Sequence, residues 1–329
     1  ILPALAGVIY GLGMHSYIAY RATPLLILFI IGIYWFKNKD RQTRKRILLA
    51  SFFFILASII VFLPLGLYFF QHPDSFFGRT TQVSVFASEA PLKNLVLNTA
   101  KTLGMFNFAG DYNWRHNLAG APQLFWPVGV MFLIGVFLAI KSFFRNSKLE
   151  IKNSSLAIML VWLGVAMLPV IISNEGMPHA LRAILMIPPV FILSGIGGIA
   201  IYNFFTRKIE NIFVIKTAAI FLLFFILLNT YFTYFVRWAK NPNTADVFAK
   251  NYVEIGRQLN SLPAELPKYV IVNAGGVDVR GLPMPTQTVM FLTDTFTPEK
   301  QGKKNIHYLL PSQIEQANIP ESAFTVLLK

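Results

Sequence analysis

For its first 236 residues the chain alternates between long apolar runs and shorter segments where polar and turn-forming residues collect. A bilayer core of about 30 Å asks for about 20 apolar residues per helix, or somewhat fewer with favourable flanks. The runs at 1–12, 24–36, 47–70, 124–140, 156–172, 184–205 and 217–236 therefore predict membrane segments, the first two short. Inside the longest intervening segment, 71–123, the stretch "LKNLVLNTAKTLGMF" changes period. It sets Leu92, Leu95, Val96, Thr99, Leu103 and Phe106 on or near one side, which predicts an amphipathic helix able to lie in the membrane interface.

Beyond Arg237 the pattern is that of a water-soluble domain. "TADVFAKNYVEIGRQLNSL" carries Phe248, Tyr252, Ile255, Leu259 and Leu262 at helical spacing. "KYVIVNAGG", "TQTVMFLT", "NIHYLL" and "AFTVLLK" predict short buried strands, with a short helix near 311–316. The expected fold is thus mainly α, a polytopic helical membrane domain over 1–237 followed by a small α/β domain over 238–329. "NAGG" follows a strand but lacks the G-x-G-x-x-G spacing, so it predicts a tight turn and no nucleotide site.

Composition supports the membrane reading: 55% of residues are hydrophobic and only 13% charged, a balance foreign to ordinary soluble domains. The net charge of +14 is largely topological. Lys37–Arg46 holds six Lys and Arg, Lys141–Ser155 four and Thr206–Lys216 three, all on one side of the predicted spans, which the positive-inside rule makes cytoplasmic. This leaves little reason to expect a nucleic-acid partner. The absence of cysteine excludes disulfides and thiolate metal sites. The first residue is Ile1, and no charged segment or cleavage site precedes the first apolar run, so the sequence reads as the C-terminal portion of a longer protein.

The opposite face then receives 13–23, 71–123, 173–183 and the C-terminal domain. Each of its loops brings a histidine close to an arginine: His15 with Arg21, His72 with Arg79, Arg115 beside His116, and His179 with Arg182. Arginine in such loops opposes the topological bias, and an anion at the membrane boundary supplies a reason for it. A guanidinium offers phosphate two parallel hydrogen bonds, and imidazole adds a further donor. Taken singly, each Arg is an interfacial anchor and each His an ordinary packed residue. In "SNEGMPHALRAILMIPP", Ser173, Asn174 and Glu175 supply capping chemistry and Pro178 a first helical turn. His179 and Arg182 then fall on one face of a helix start, with Pro188 and Pro189 kinking the span beyond. The patch "GDYNWRHN" concentrates Asp111, Arg115 and His116 with aromatic residues in one loop.

Four blocks, "GLGMHSYIAYRATPLL", "HPDSFFGRTTQVSVF", "GDYNWRHNLAGAPQLFWP" and "MPHALRAILMIPP", together resemble bacterial members of glycosyltransferase family 39 and related enzymes of the GT-C fold, in the same order over most of 1–236. The resemblance implies transfer of a sugar from a polyprenyl-phosphate donor to a glycan, lipid or protein acceptor at the outer face of the bacterial cytoplasmic membrane. It further implies an acidic base in a first outward loop, which would lie upstream of residue 1. Arg21, Arg115 and Arg182, then Arg79, His116 and His179, are the candidates for contact with the lipid phosphate, since negative charge develops there as the sugar departs. Asp74 and Asp111 are the local carboxylates able to assist, with turn or cap chemistry as their alternative. No cofactor motif and no metal-ligand set is evident in the sequence, and a metal requirement stays open. The competing readings are another polyprenyl-phosphate or -diphosphate ligase or polymerase of glycans, or a carrier of lipid-linked sugars. A carrier calls for ionisable groups at mid-membrane depth, and the spans from residue 47 onward are nearly free of them.

Overall fold

The computed structural model describes residues 1–82, 84–145 and 151–329, apart from the side chains of residues 79–82, 145 and 151–153. Two compact units divide the chain, Ile1–Tyr234 and Phe235–Lys329.

The first unit is helical: α1 (Leu2–Gly13), α2 (Thr23–Lys37), α3 (Arg41–Gln71), α4 (Pro73–Gln82), α5 (Pro91–Gly104), α6 (Trp126–Arg145), α7 (Ile151–Ile171), α8 (Ile187–Thr206) and α9 (Ile212–Tyr231). Among the described residues six helical stretches are long and apolar enough to cross a membrane, built on α2, α3, α6, α7, α8 and α9, and α1 is a shorter apolar helix. The chain thus has the form of a multi-pass membrane protein. Large apolar side chains such as Phe52, Ile60, Phe137, Phe221 and Leu227 stand exposed along these helices, where a lipid solvent replaces water.

Small residues let the helices approach, the usual device where no hydrophobic force acts between them. A Cβ at Gly135 of α6 would lie 1.9 Å from the Leu193 carbonyl of α8, and one at Gly197 of α8 would lie 1.9 Å from the Met131 carbonyl. In the same way Gly7 of α1 faces α3, and Ser58 Oγ of α3 donates to the Gly7 carbonyl at 3.0 Å. The core of the unit, including Phe106, Phe132, Val170, Met186 and Leu193, fills the space between α6, α7 and α8.

Lys37, at the end of α2, donates to Ser154 near the start of α7, so the end of α2 and the start of α7 meet at one end of the bundle. At the other end two 3₁₀ turns, Ile18–Ala22 and Arg182–Met186, meet each other and α7. Pro188 and Pro189 occupy the first turn of α8 and do not kink it: a proline there lacks only an N–H that would have no helical partner.

The amphipathic stretch forms α5, but with its faces inverted relative to a soluble protein. Asn98 and Thr102 are buried, while Leu92 is 78% and Val96 68% exposed. Asn98 Nδ2 donates to the Ile171 and Ser173 carbonyls, and Val85 N–H donates to Ile172 O. The carbonyls at the end of α7 are thereby satisfied, and the apolar side of α5 is left outward, as an interfacial helix requires.

The second unit contains α10 (Pro242–Val247), α11 (Lys250–Ser261), β1 (Lys268–Val272), the small hairpin β2 (Asp278–Val279) and β3 (Leu282–Pro283), α12 (Thr286–Thr293), α13 (Pro298–Lys304), β4 (Ile306–Leu309) and β5 (Phe324–Leu328). Its sheet is parallel, ordered β4-β1-β5, with Val270 facing Tyr308 on one side and Val326 on the other. The predicted helix after residue 242 is broken into α10 and α11 by Ala249 in a left-handed conformation (φ 59°). "TQTVMFLT" is helix, not strand. Thr286, Val289, Met290 and Thr293 are buried at i, i+3, i+4 and i+7, and α12 lies in the crossover between two parallel strands, where a helix is expected. After β1 the chain runs on without a hydrogen-bonded turn and bends at Gly276, whose φ of 144° favours glycine.

Candidate functional site

The loop between α5 and α6 closes on itself. Gln123 and Leu124 N–H groups donate to Met105 and Phe106 carbonyls at its base, and Gly110 N–H and Gly120 N–H donate to Gly120 O and Asp111 O further out. Asn117 Nδ2 braces the turn by donating to Ala121 O at 2.6 Å. The result is a compact loop that holds Asp111 and His116 in fixed places.

Asp111 is only 2% exposed. Its Oδ1 accepts from Asn113 N–H at 2.7 Å, and its Oδ2 accepts from His116 Nδ1 at 2.8 Å and from Ala180 N–H at 2.8 Å. Three donors, one of them the imidazole of His116, offset the cost of burying the carboxylate. The bond to Ala180 also ties this loop to the segment 173–182, some 69 residues further along the chain.

That segment carries His179 beside His116, ring centroids 4.8 Å apart. His179 Nδ1 accepts from Arg182 N–H at 3.4 Å. Among the described residues neither His116 Nε2 nor His179 Nε2 makes a hydrogen bond. Burial, with the charge of Arg182 adding to it, lowers the pKa of His179 below the ordinary imidazole value and favours the neutral ring. One ligand atom from each of Asp111, His116 and His179 lies within 4.8 Å of the others.

Arg182 is 11% exposed and turned inward on its own segment: Nη1 donates to Ser173 Oγ and to Glu175 O, and Nη2 meets Glu175 Oε2 at 2.9 Å. The predicted helix start at His179 and Arg182 is a series of bends and turns instead, and Arg182 opens a five-residue 3₁₀ turn. The capping residues serve a different purpose here, Ser173 and Glu175 receiving the guanidinium where they were expected to cap a helix. Arg182 thereby fixes the shape of the loop that places His179.

Arg21 lies in the other 3₁₀ turn, and its surroundings are different. Nη1 donates to Phe76 O at 2.9 Å, and the guanidinium carbon sits 4.1 Å from the centroid of Phe76 and 4.9 Å from that of Phe69. Among the described residues Nε and Nη2 make no hydrogen bond. Arg21 lines a cavity of about 410 Å³ whose other walls are mostly apolar or aromatic, with Tyr10 from α1, Met14 just beyond its end, Ile27 and Leu28 from α2, and Phe54, Ser58 and Phe62 from α3. This volume lies within the usual range for small-molecule pockets. Tyr10 adds a hydroxyl, bonded to Thr23 Oγ1 at 2.9 Å.

The remaining candidates stand apart. Arg115 is exposed, and its backbone N–H donates to Asn113 Oδ1. Asp74 is exposed in the first turn of α4, where a carboxylate complements the helix dipole. The side chain of Arg79 lies outside the described residues. His15 Nε2 contacts the Val61 carbonyl at 3.0 Å, in the turn of α3 that Pro64 interrupts, and the His72 ring meets that of Tyr68 at a tilt, centroids 4.6 Å apart. Of the four His and Arg pairs, two thus supply the Asp111 cluster and one supplies the cavity.

No metal-ligand set is evident along the sequence, because the three candidate ligands come from two loops that only the fold brings together. The repetition of outward histidines was the available signal, and it did not say which would meet. Comparison with protein-family models, with curated proteins and with solved structures finds no match for this chain.

Proposed function

We propose that the chain belongs to a membrane glycosyltransferase that takes a sugar from a polyprenyl-phosphate donor and passes it to a glycan, lipid or protein acceptor at the outer face of the bacterial cytoplasmic membrane. The observation that carries this reading is the cavity between α1, α2 and α3, apolar or aromatic apart from the guanidinium of Arg21 and the hydroxyls of Tyr10 and Ser58. An amphiphile with a hydrocarbon tail and an anionic head matches such a site in shape and in charge. The tail lies along Ile27, Leu28, Ile55 and Phe62, and the phosphate lies toward Arg21, where two guanidinium nitrogens are available.

The chemistry follows from the placement of charge. Transfer breaks the bond between the sugar C1 and the phosphate oxygen and forms one from C1 to the acceptor oxygen, whose proton leaves to a base. Negative charge accumulates on the departing phosphate. A guanidinium already held between Phe69 and Phe76 needs no reorganisation to meet it, and interactions stronger in the transition state than in the ground state raise the rate. His116 and His179 lie near the same end of the bundle, and Arg182 holds the loop that carries His179.

The test is transfer by the full-length protein reconstituted with a polyprenyl-phosphate sugar. Arg21→Ala is expected to lower kcat by about 10²–10³, the cost of removing one donor to a developing anion, with membrane insertion intact. Arg182→Ala is expected to abolish transfer through loss of the loop. Full turnover by both variants overturns the reading.

A further inference from the structure

Asp111, His116 and His179 form a constellation that the lipid-phosphate reading does not require. The carboxylate is buried, the two imidazoles lie side by side with a centroid separation of 4.8 Å, and all three offer a ligand atom within 4.8 Å of one another. The two loops are locked in place independently of any ligand, one by its own backbone bonds and the other by Arg182 on Ser173 and Glu175. Two neighbouring imidazoles that leave both Nε2 atoms without a hydrogen bond are poor packing choices in a part-buried site. They are good choices for a metal.

We propose that Asp111, His116 and His179 bind one divalent transition-metal ion of the zinc class. Two imidazole nitrogens and one carboxylate oxygen form a three-ligand N₂O set, and such sets keep a fourth position open for water or an anionic oxygen. Nitrogen-rich ligation selects zinc and its neighbours over calcium and magnesium, which take oxygen. Ligand atoms bound at about 2.0–2.2 Å lie about 3.3 Å apart in a tetrahedron. The ligand atoms lie within 4.8 Å of one another, so binding draws them together by at most about 1.5 Å. Asp111 Oδ2 accepts from His116 Nδ1, and ligation by that oxygen exchanges this bond for one to the ion. The ion, the charge on Asp111 and the dipoles of the loop would then lie on the same side of the bundle as Arg21, whose turn meets that of Arg182.

The experiment uses the purified full chain, treated with chelator and re-supplied with Zn²⁺ alone. Metal analysis after desalting is expected to find one zinc per chain. Substitution of either histidine, His116→Ala or His179→Ala, is expected to weaken affinity at least about a hundredfold, the upper end of what loss of a mere supporting partner costs. His15→Ala, at an exposed histidine bonded to α3, is expected to bind zinc like the parent. A second measurement needs no substitution: acylation of histidines in the unaltered chain, read residue by residue by mass spectrometry. Zinc is expected to slow modification of His116 and His179 about tenfold or more while leaving His72 unchanged. A chain that retains no zinc, or in which zinc protects His116 and His179 no more than His72, overturns the proposal. The same samples are offered polyprenyl phosphate. Lipid binding without zinc binding removes this site alone, and zinc binding without lipid binding supports it while removing the donor reading.

Discussion

Asp111→Ala removes the carboxylate on which two loops depend. It strips acceptors from Asn113 N–H, His116 Nδ1 and Ala180 N–H. Asn113 is exposed, so water takes over its bond at little cost. The other two are hydrogen bonds to a charged acceptor, worth about 1.5–3 kcal/mol each, or about 3–6 kcal/mol together. His116 and Ala180 are only partly buried, and water reaching them reduces the net loss to about 2–4 kcal/mol. Because the bond to Ala180 joins the two loops, the loss falls on the local opening of 173–182 and less on the helical bundle. The assay is hydrogen exchange by mass spectrometry on peptides covering Ala180, with the unaltered protein and Asp74→Ala for comparison. A local loss of about 2–4 kcal/mol corresponds to exchange about 30- to 1000-fold faster. Asp74→Ala, at an exposed helix start, is expected to leave the rate as it was. Exchange at Ala180 within about threefold of the parent, at equal global stability, would refute the view that Asp111 holds these loops together.

Two further perturbations probe the bundle and the histidine pair. Gly197→Ala drives a methyl group against the Met131 carbonyl and is expected to cost about 1–3 kcal/mol or more, seen as a lower unfolding temperature in detergent; Gly195→Ala, two residues away with nothing within 4 Å, is expected to be neutral. Equal effects of the two would show that α6 and α8 do not meet at Gly197. His179 has a folded-state pKa below its ordinary value of 6.5, chiefly through burial. The unfolded chain therefore takes up this proton first as pH falls. Stability from this residue is full above 6.5, declines below it and levels off once the folded-state value is passed. In chelator, His179→Gln is expected to flatten that part of the stability profile. An unchanged profile would assign the acid sensitivity elsewhere.

The spans were legible because a bilayer demands long apolar runs, and six of the predicted segments correspond to the six candidate spanning helices. Strands β1, β4 and β5 were legible for a related reason, as short apolar runs bounded by turns. The error at "TQTVMFLT" came from reading β-branched residues as strand formers when their buried positions follow a helical period. Along the sequence, His179 and Arg182 stand at the i, i+3 spacing of a helix start. Ser173 and Glu175 instead draw the guanidinium of Arg182 back onto the loop, a contact that no local period encodes. Asp111 stood out in the sequence only as one of two local carboxylates able to assist, with turn or cap chemistry as its alternative. Its importance lies in the Ala180 bond, which joins residues far apart in the chain and so leaves no mark on local pattern. Arg21 was selected for its charge alone, and the aromatic walls that hold it come from α3 and α4.

The central claim is that a lipid phosphate binds with its head at Arg21 and its tail in the cavity beside it. It is tested most directly by comparing polyprenyl phosphate with the uncharged polyprenol of the same chain length, each titrated against the protein in nanodiscs of neutral lipid. The phosphate is expected to bind at least about tenfold more tightly, the worth of one charge-assisted contact of about 1.5–3 kcal/mol. Arg21→Ala is also expected to remove the difference while leaving polyprenol binding as it was. Equal affinity for phosphate and alcohol in the unaltered protein would contradict the claim.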